Sequence, residues 1–141
     1  MIQKSIFLPY SSAQMFDLVA DVDKYSEFMP WCGGSKIQHK NEQGILASII
    51  IDFRGIYQKF STWNQHCFPN YINLELVEGP FSSLTGKWEF QDFSEKYCKV
   101  CFTMEYTFSN TIIKFLISPI FNNIASSFID SFIKRAKFIY G

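Results

Sequence analysis

Cys98-Lys-Val-Cys101 has the spacing of a metal site or a redox dithiol, and it is the first place in this 141-residue chain to look for chemistry. The run Tyr97 to Phe108 alternates in polarity as a strand does, and residues three apart on a strand point to opposite faces. The two thiols therefore cannot easily share an ion. Cys32 and Cys67 supply no second C-x-x-C, and no helical pattern follows Cys101 as a redox dithiol would require. All four cysteines are expected to be structural, with no bound metal, which suits a reducing compartment. His39 and His66 fall near the ends of different strands, and Tyr106 reads inward, but no carboxylate joins them. No catalytic residue is assigned, and the chain is not expected to be an enzyme.

Thr62 and Asn64 are a different case. They share parity with Phe60 in the strand Tyr57–Cys67, whereas Lys59, Trp63 and Gln65 take the other face. Polar groups aimed into an apolar hollow need a partner, which can be water, backbone or a ligand carbonyl. A position at the sheet edge, with water on both groups, accounts for them equally well.

The elements that would position these residues start from a single-domain length, residues 1–141, enough to bury one core without staples. The formal charge is zero and charged residues make up 18%, which gives no global electrostatic case for nucleic acid, DNA included, or an anionic membrane. Sixteen Phe, seven Tyr and three Trp are many for such a core. They either line a cavity for an apolar ligand or fill the interior. The N-terminus carries too little for a secretory signal. The window Ile112 to Ile133 is broken by Lys114, Pro119, Asn122, Asn123 and Asp130, so a soluble, cytoplasmic protein is expected.

Ile2 to Pro9 fits a first strand, and Ser11-x-x-Gln14 is a capping-box pattern opening a helix buried through Met15, Leu18, Val19 and Val22. A short helix follows from about Asp21 to Phe28. From Trp31 the period changes to two, predicting strands near Ser35–Lys40, Ile45–Arg54, Tyr57–Cys67, Ile72–Val77, Leu84–Phe93 and Tyr97–Phe108. The short breaks between them dictate an antiparallel meander. Ser118 to Tyr140 then reads as one long helix, with Ile117, Phe121, Ile124, Phe128, Phe132 and Ile139 at helical spacing. Ser118-Pro119 fits an N-cap with proline at the first helical position. Thr111–Ile117 is then a separate apolar turn, or else a mobile lid at a cavity mouth.

Alternation assigns Ala47, Ile49, Ile51, Phe53, Ile72, Leu74, Leu76, Leu84, Trp88, Phe90, Val100, Phe102 and Met104 to the face under the long helix. Ser48, Asp52, Arg54, Lys87, Glu89, Gln91, Thr103 and Glu105 belong in water. The expected architecture is α+β, a curved sheet of about seven strands gripping a C-terminal helix, with a hollow between them. Its expected wall comprises Phe121, Ile124, Ala125, Phe128 and Phe132 from the helix, with Phe60, Leu74, Trp88, Phe90, Phe102 and Met104 from the sheet. Thr62 and Asn64 would orient the ligand.

Three blocks carry a family resemblance: Asp23-Lys-Tyr25-Ser-Glu-Phe28-Met-Pro30-Trp31-Cys32, then Leu76-Val-Glu-Gly79-Pro80-Phe81, then Phe132-x-x-Arg135-Ala136 with Tyr140-Gly141. Together they resemble the coenzyme Q-binding, RatA-type branch of the START-like superfamily, with Ser26 and Met29 as mild departures at the rim. The resemblance implies the helix-grip fold. It also implies a hydrophobic small-molecule partner, ubiquinone or a related lipid, whose quinone carbonyls would suit Thr62 and Asn64. No cofactor is required. Support of respiration and transient contact with the inner-membrane surface would follow. The same resemblance implies, as the alternative, a toxin that binds the large ribosomal subunit and blocks subunit joining, for which Lys134, Arg135 and Lys137 offer cations. Helix-dipole complementation explains those charges more simply.

Overall fold

The computed structural model describes residues 1–141. Elements follow the order β1 (Ile2–Leu8), α1 (Ser12–Ala20), a 3-10 segment (Val22–Glu27), β2 (Cys32–Asn41), β3 (Gly44–Phe53), β4 (Ile56–Cys67), β5 (Tyr71–Glu78), β6 (Phe81–Ser94), β7 (Tyr97–Phe108) and α2 (Thr111–Tyr140). All seven strands form one antiparallel sheet in the order β1-β7-β6-β5-β4-β3-β2. The meander follows from the short connections, and β1 joins it at the far edge by pairing Ile2 with Met104 and Leu8 with Cys98.

Both helices start on side-chain caps. Ser11 Oγ accepts from Gln14 N at 3.1 Å and Gln14 Oε1 accepts from Ser11 N at 2.9 Å, so the reciprocal box read from the sequence is present. The cap of α2 corrects the sequence reading. Asn110 Oδ1, not Ser118, accepts the first free amide, from Ile113 at 2.9 Å. Thr111–Ile117 is therefore neither a separate turn nor a detached lid but the first turns of one 30-residue helix with Pro119 inside it. Proline cannot supply the amide that the Phe115 carbonyl would accept. The helix tolerates the loss here because Phe115 and Pro119 both lie in water.

Residues Ile117, Phe121, Ile124, Ala125, Phe128, Ile129, Phe132 and Ala136 of α2 are buried against the sheet. Ile139, expected on this stripe, is 48% exposed, and it is the next residue, Tyr140, that packs here, donating to the Gln14 carbonyl of α1 at 2.9 Å. By length and composition α2 would suffice to cross a membrane, its most apolar 18-residue window having a mean hydropathy of 1.4. The polar interruptions do not lower that average enough to disqualify it. Packing assigns the buried stripe to the core of this domain.

Inward parity holds for β3, β6 and β7, where Ala47, Ile49, Ile51, Leu84, Trp88, Phe90, Val100, Phe102 and Met104 are buried. Ser48 departs from its expected place in water. It is 5% exposed, and its Oγ lies 2.8 Å from Ser61 Oγ. A short side chain between Lys36 and Ser61 on neighbouring strands sits below their reach and is shielded by them.

Candidate functional site

The hollow between sheet and helix is nearly closed. A cavity of about 40 Å³ lies among fourteen residues, twelve of them hydrophobic. Such a volume admits a few waters. It is far below the ~300–1,000 Å³ of a typical ligand site. Of the two roles open to the aromatic residues, filling the interior predominates.

Eight of the residues read from the sequence meet at this cavity: Phe60, Thr62, Asn64, Leu74, Trp88, Met104, Phe128 and Phe132. The other five lie elsewhere in the core. Phe102 and Phe90 stand beside Trp88, with ring centroids 4.4 and 6.3 Å from its indole, and so support the wall from behind. Phe121 belongs to an aromatic cluster with Phe81, Tyr106 and Phe108 that adjoins the wall through Phe60, 6.2 Å from it edge-on. Ile124 and Ala125 are buried on α2 away from the opening. Parity tells which face a side chain takes, but it cannot tell where along that face the two layers separate.

Val19, Val22 and Tyr25 complete the wall and were missed, along with Ile49, Ile72 and Leu84. The first three come from the end of α1 and the 3-10 segment, where the sequence marks Val19 and Val22 as buried but does not place them at the opening. Tyr25 is the clearest signal that was available, an aromatic residue inside the Asp23–Cys32 block. Its hydroxyl donates to the Val19 carbonyl and its ring meets Phe132 edge-on at 5.3 Å. Burial, with Asp21 and Cys32 adding to it, holds its pKa far above the ordinary tyrosine value.

Thr62 and Asn64 satisfy each other. They sit two apart on β4 and so share the inward face. Thr62 Oγ1 donates to Asn64 Oδ1 at 2.6 Å, with both residues buried. The sheet-edge reading is thereby set aside. The Asn64 Nδ2 group makes no hydrogen bond within the protein, which leaves two donors for whatever enters the cavity. Beside the pair, Ser61 pairs with Glu78 while Thr62 pairs with Leu76, so Val77 is an extra residue that bends the ladder.

The remaining candidates stay apart. Cys98 and Cys101 take opposite faces of β7, the first buried and the second half-buried. Burial, reinforced by Asp92, pushes the Cys98 thiol up to about 11. Tyr106 is half-buried and donates to Asn122 rather than reaching the cavity. His39 is exposed. His66 packs edge-on to Phe16 at 5.4 Å, and burial, with Lys40 adding to it, lowers its pKa. In the Lys134–Lys137 cluster, Arg135 turns inward to Glu27, whereas Lys134 and Lys137 stay in water.

A curved meander gripping a C-terminal helix over a small apolar cavity defines the START-like helix-grip class. The aromatase/cyclase ZhuI from a Streptomyces species shares this fold with a TM-score of 0.84 at 10% identity, over 96% of this chain and 92% of that one. Residues 8–133 match the family described as polyketide cyclase / dehydrase and lipid transport, and the chain belongs to that family. The ribosome association toxin RatA of Pseudomonas aeruginosa is 35% identical over 99% of this chain and 97% of its own length. More distant is the mitochondrial coenzyme Q-binding protein COQ10 homolog B of Xenopus laevis, 25% identical over 98% of this chain and 58% of its own.

Proposed function

We propose that this chain is a ribosome-associating toxin that binds the large ribosomal subunit through its outer surface and hinders subunit joining, without catalysis. The reading rests on one observation, the likeness to the Pseudomonas toxin over 99% of the chain. The closed cavity is consistent with a protein whose outside does the work. Lys134 and Lys137, exposed on α2, are among the cations available to phosphates. In the test, purified protein is added to subunits before they are joined, and the mixture is sedimented through sucrose. Free subunits should accumulate at the expense of joined ribosomes, and less so for a Lys134→Glu, Lys137→Glu variant. An unchanged profile at saturating protein would overturn the reading.

A second reading, carriage of ubiquinone or a related lipid in support of respiration at the inner-membrane surface, is favoured by the Asn64 amide. Asn64 and Thr62 are polar members of a mostly hydrophobic wall, and a quinone carbonyl would accept from the Asn64 amide. Entry requires the wall to widen, for which Met104 and the half-buried Leu74 are the adaptable members. Native purification followed by solvent extraction and mass spectrometry tests it. Stoichiometric quinone supports carriage; none, together with no uptake of added quinone, overturns it.

A further inference from the structure

The first two turns of α2 carry apolar side chains out into water. Ile112 is 72%, Phe115 80% and Leu116 54% exposed, whereas the next residue, Ile117, is 3% exposed in the core. Helical spacing puts Ile112, Phe115, Leu116 and the exposed Pro119 on one outward stripe. Further along, the same stripe turns polar at Asn123 and Asp130. At this end of the helix the apolar stripe has Asn110, Thr111 and Lys114 at its shoulders, and a second exposed pair, Phe138 and Ile139, lies apart at the C-terminal end.

We propose that this tip docks on the surface of a lipid bilayer, with Ile112, Phe115 and Leu116 at the acyl boundary and Lys114 among the headgroups. The proposal deepens the lipid-carrying reading and rests on it for what the docking achieves. Three observations favour lipid over other occupants. Large apolar side chains offer ~150–250 Å² each, so the three together expose on the order of 350 Å², under half of the ~800 Å² per partner that a stable dimer takes. The most apolar 18-residue window of α2 has a mean hydropathy of 1.4 while only 33% of it is buried, so much of its apolar character faces outward. Finally, Lys114 is the only cation within the tip, too little charge for an RNA surface.

The test is flotation of the full chain with vesicles of phosphatidylcholine alone and of phosphatidylcholine with phosphatidylglycerol. Wild type should float with both, and more with the anionic vesicles. Phe115→Glu should reduce the bound fraction at least about tenfold and Ile112→Ser by less, with melting midpoints unchanged because both side chains lie in water. No flotation of wild type, or equal flotation of all three proteins, overturns the proposal. A dimer in light scattering that Phe115→Glu dissociates would assign the face to a second copy instead. Subunit co-sedimentation lost in Phe115→Glu with flotation intact would assign it to the ribosome. Carriage is read separately by extraction: a chain that floats but yields no lipid keeps the docking surface and loses the carrier reading.

Discussion

Arg135 reaches from the last turns of α2 back to Glu27 at the end of the 3-10 segment, Nη2 to Oε1 at 3.2 Å. Its guanidinium also lies 5.0 Å from the ring centre of Phe28 and 5.5 Å from that of Phe138. The arginine side chain is 14% exposed and the glutamate 51%. This contact fastens the segment carrying Tyr25 against the helix carrying Phe132, so it holds one wall of the cavity in place.

Replacing Arg135 with Ala should therefore cost about 1–2 kcal/mol in urea unfolding, mostly through the lost stacking and packing. The half-exposed ion pair itself contributes less than about 1 kcal/mol. Lys134→Ala and Lys137→Ala should stay within about 0.5 kcal/mol of wild type, since neither side chain is engaged.

The Thr62–Asn64 hydrogen bond predicts a coupled pair. Thr62→Val deprives Asn64 Oδ1 of its donor and should destabilise by about 1–3 kcal/mol. A Thr62→Val, Asn64→Leu double variant should be less destabilised than the sum of the singles, because no lone polar atom is left buried. Equal additivity in a double-mutant cycle would show that the two groups act independently.

Gly44 is a close-approach position. A Cβ built there would lie 2.0 Å from the Asn64 carbonyl oxygen, a backbone atom that no rotamer change can move. Gly44→Ala should cost at least about 1–3 kcal/mol and shift the amide resonances of Asn64 and Gln65, seen in a proton–nitrogen correlation spectrum.

His66 predicts a pH dependence. Its pKa is lowered from the ordinary 6.5 in the folded chain, by burial and then by Lys40. The unfolded chain thus takes up the proton first as pH falls. The stabilisation is complete above pH 6.5 and is lost progressively between 6.5 and the lower folded value. Urea midpoints for wild type should fall through that window, and His66→Gln should lose this share of the slope.

Most of the fold could be read from the chain because its alternation is strong. β7 was placed residue for residue at Tyr97–Phe108. β2, β4, β5 and β6 are longer than expected, as in β6, where Phe81 and Ser94 extend pairing past the hydrophobic run, whereas β3 is shifted by one residue and β1 ends at Leu8. The start of α2 was misplaced because Pro119 next to Ser118 imitates a helix beginning, and only the Asn110 cap, eight positions earlier in the chain, resolves it. Thr62 and Asn64 could be placed by parity, but not the bond between them. Val19 and Val22 could be read as buried, but neither they nor Tyr25 could be assigned to the wall, since which part of the segment before the sheet folds over an opening depends on tertiary contacts such as Tyr25 with Phe132.

The pairing of β1 with β7 also sets a timetable for synthesis. Ile2 is made well before its partner Met104, from which β2 to β6 separate it in the chain. Phe121 and Phe132, which seal the core, follow later still and are both fully or nearly fully buried when folding is complete. Until α2 packs, the apolar concave face of the sheet has no cover. Closure of the core therefore waits on α2, the element that follows the sheet in the chain.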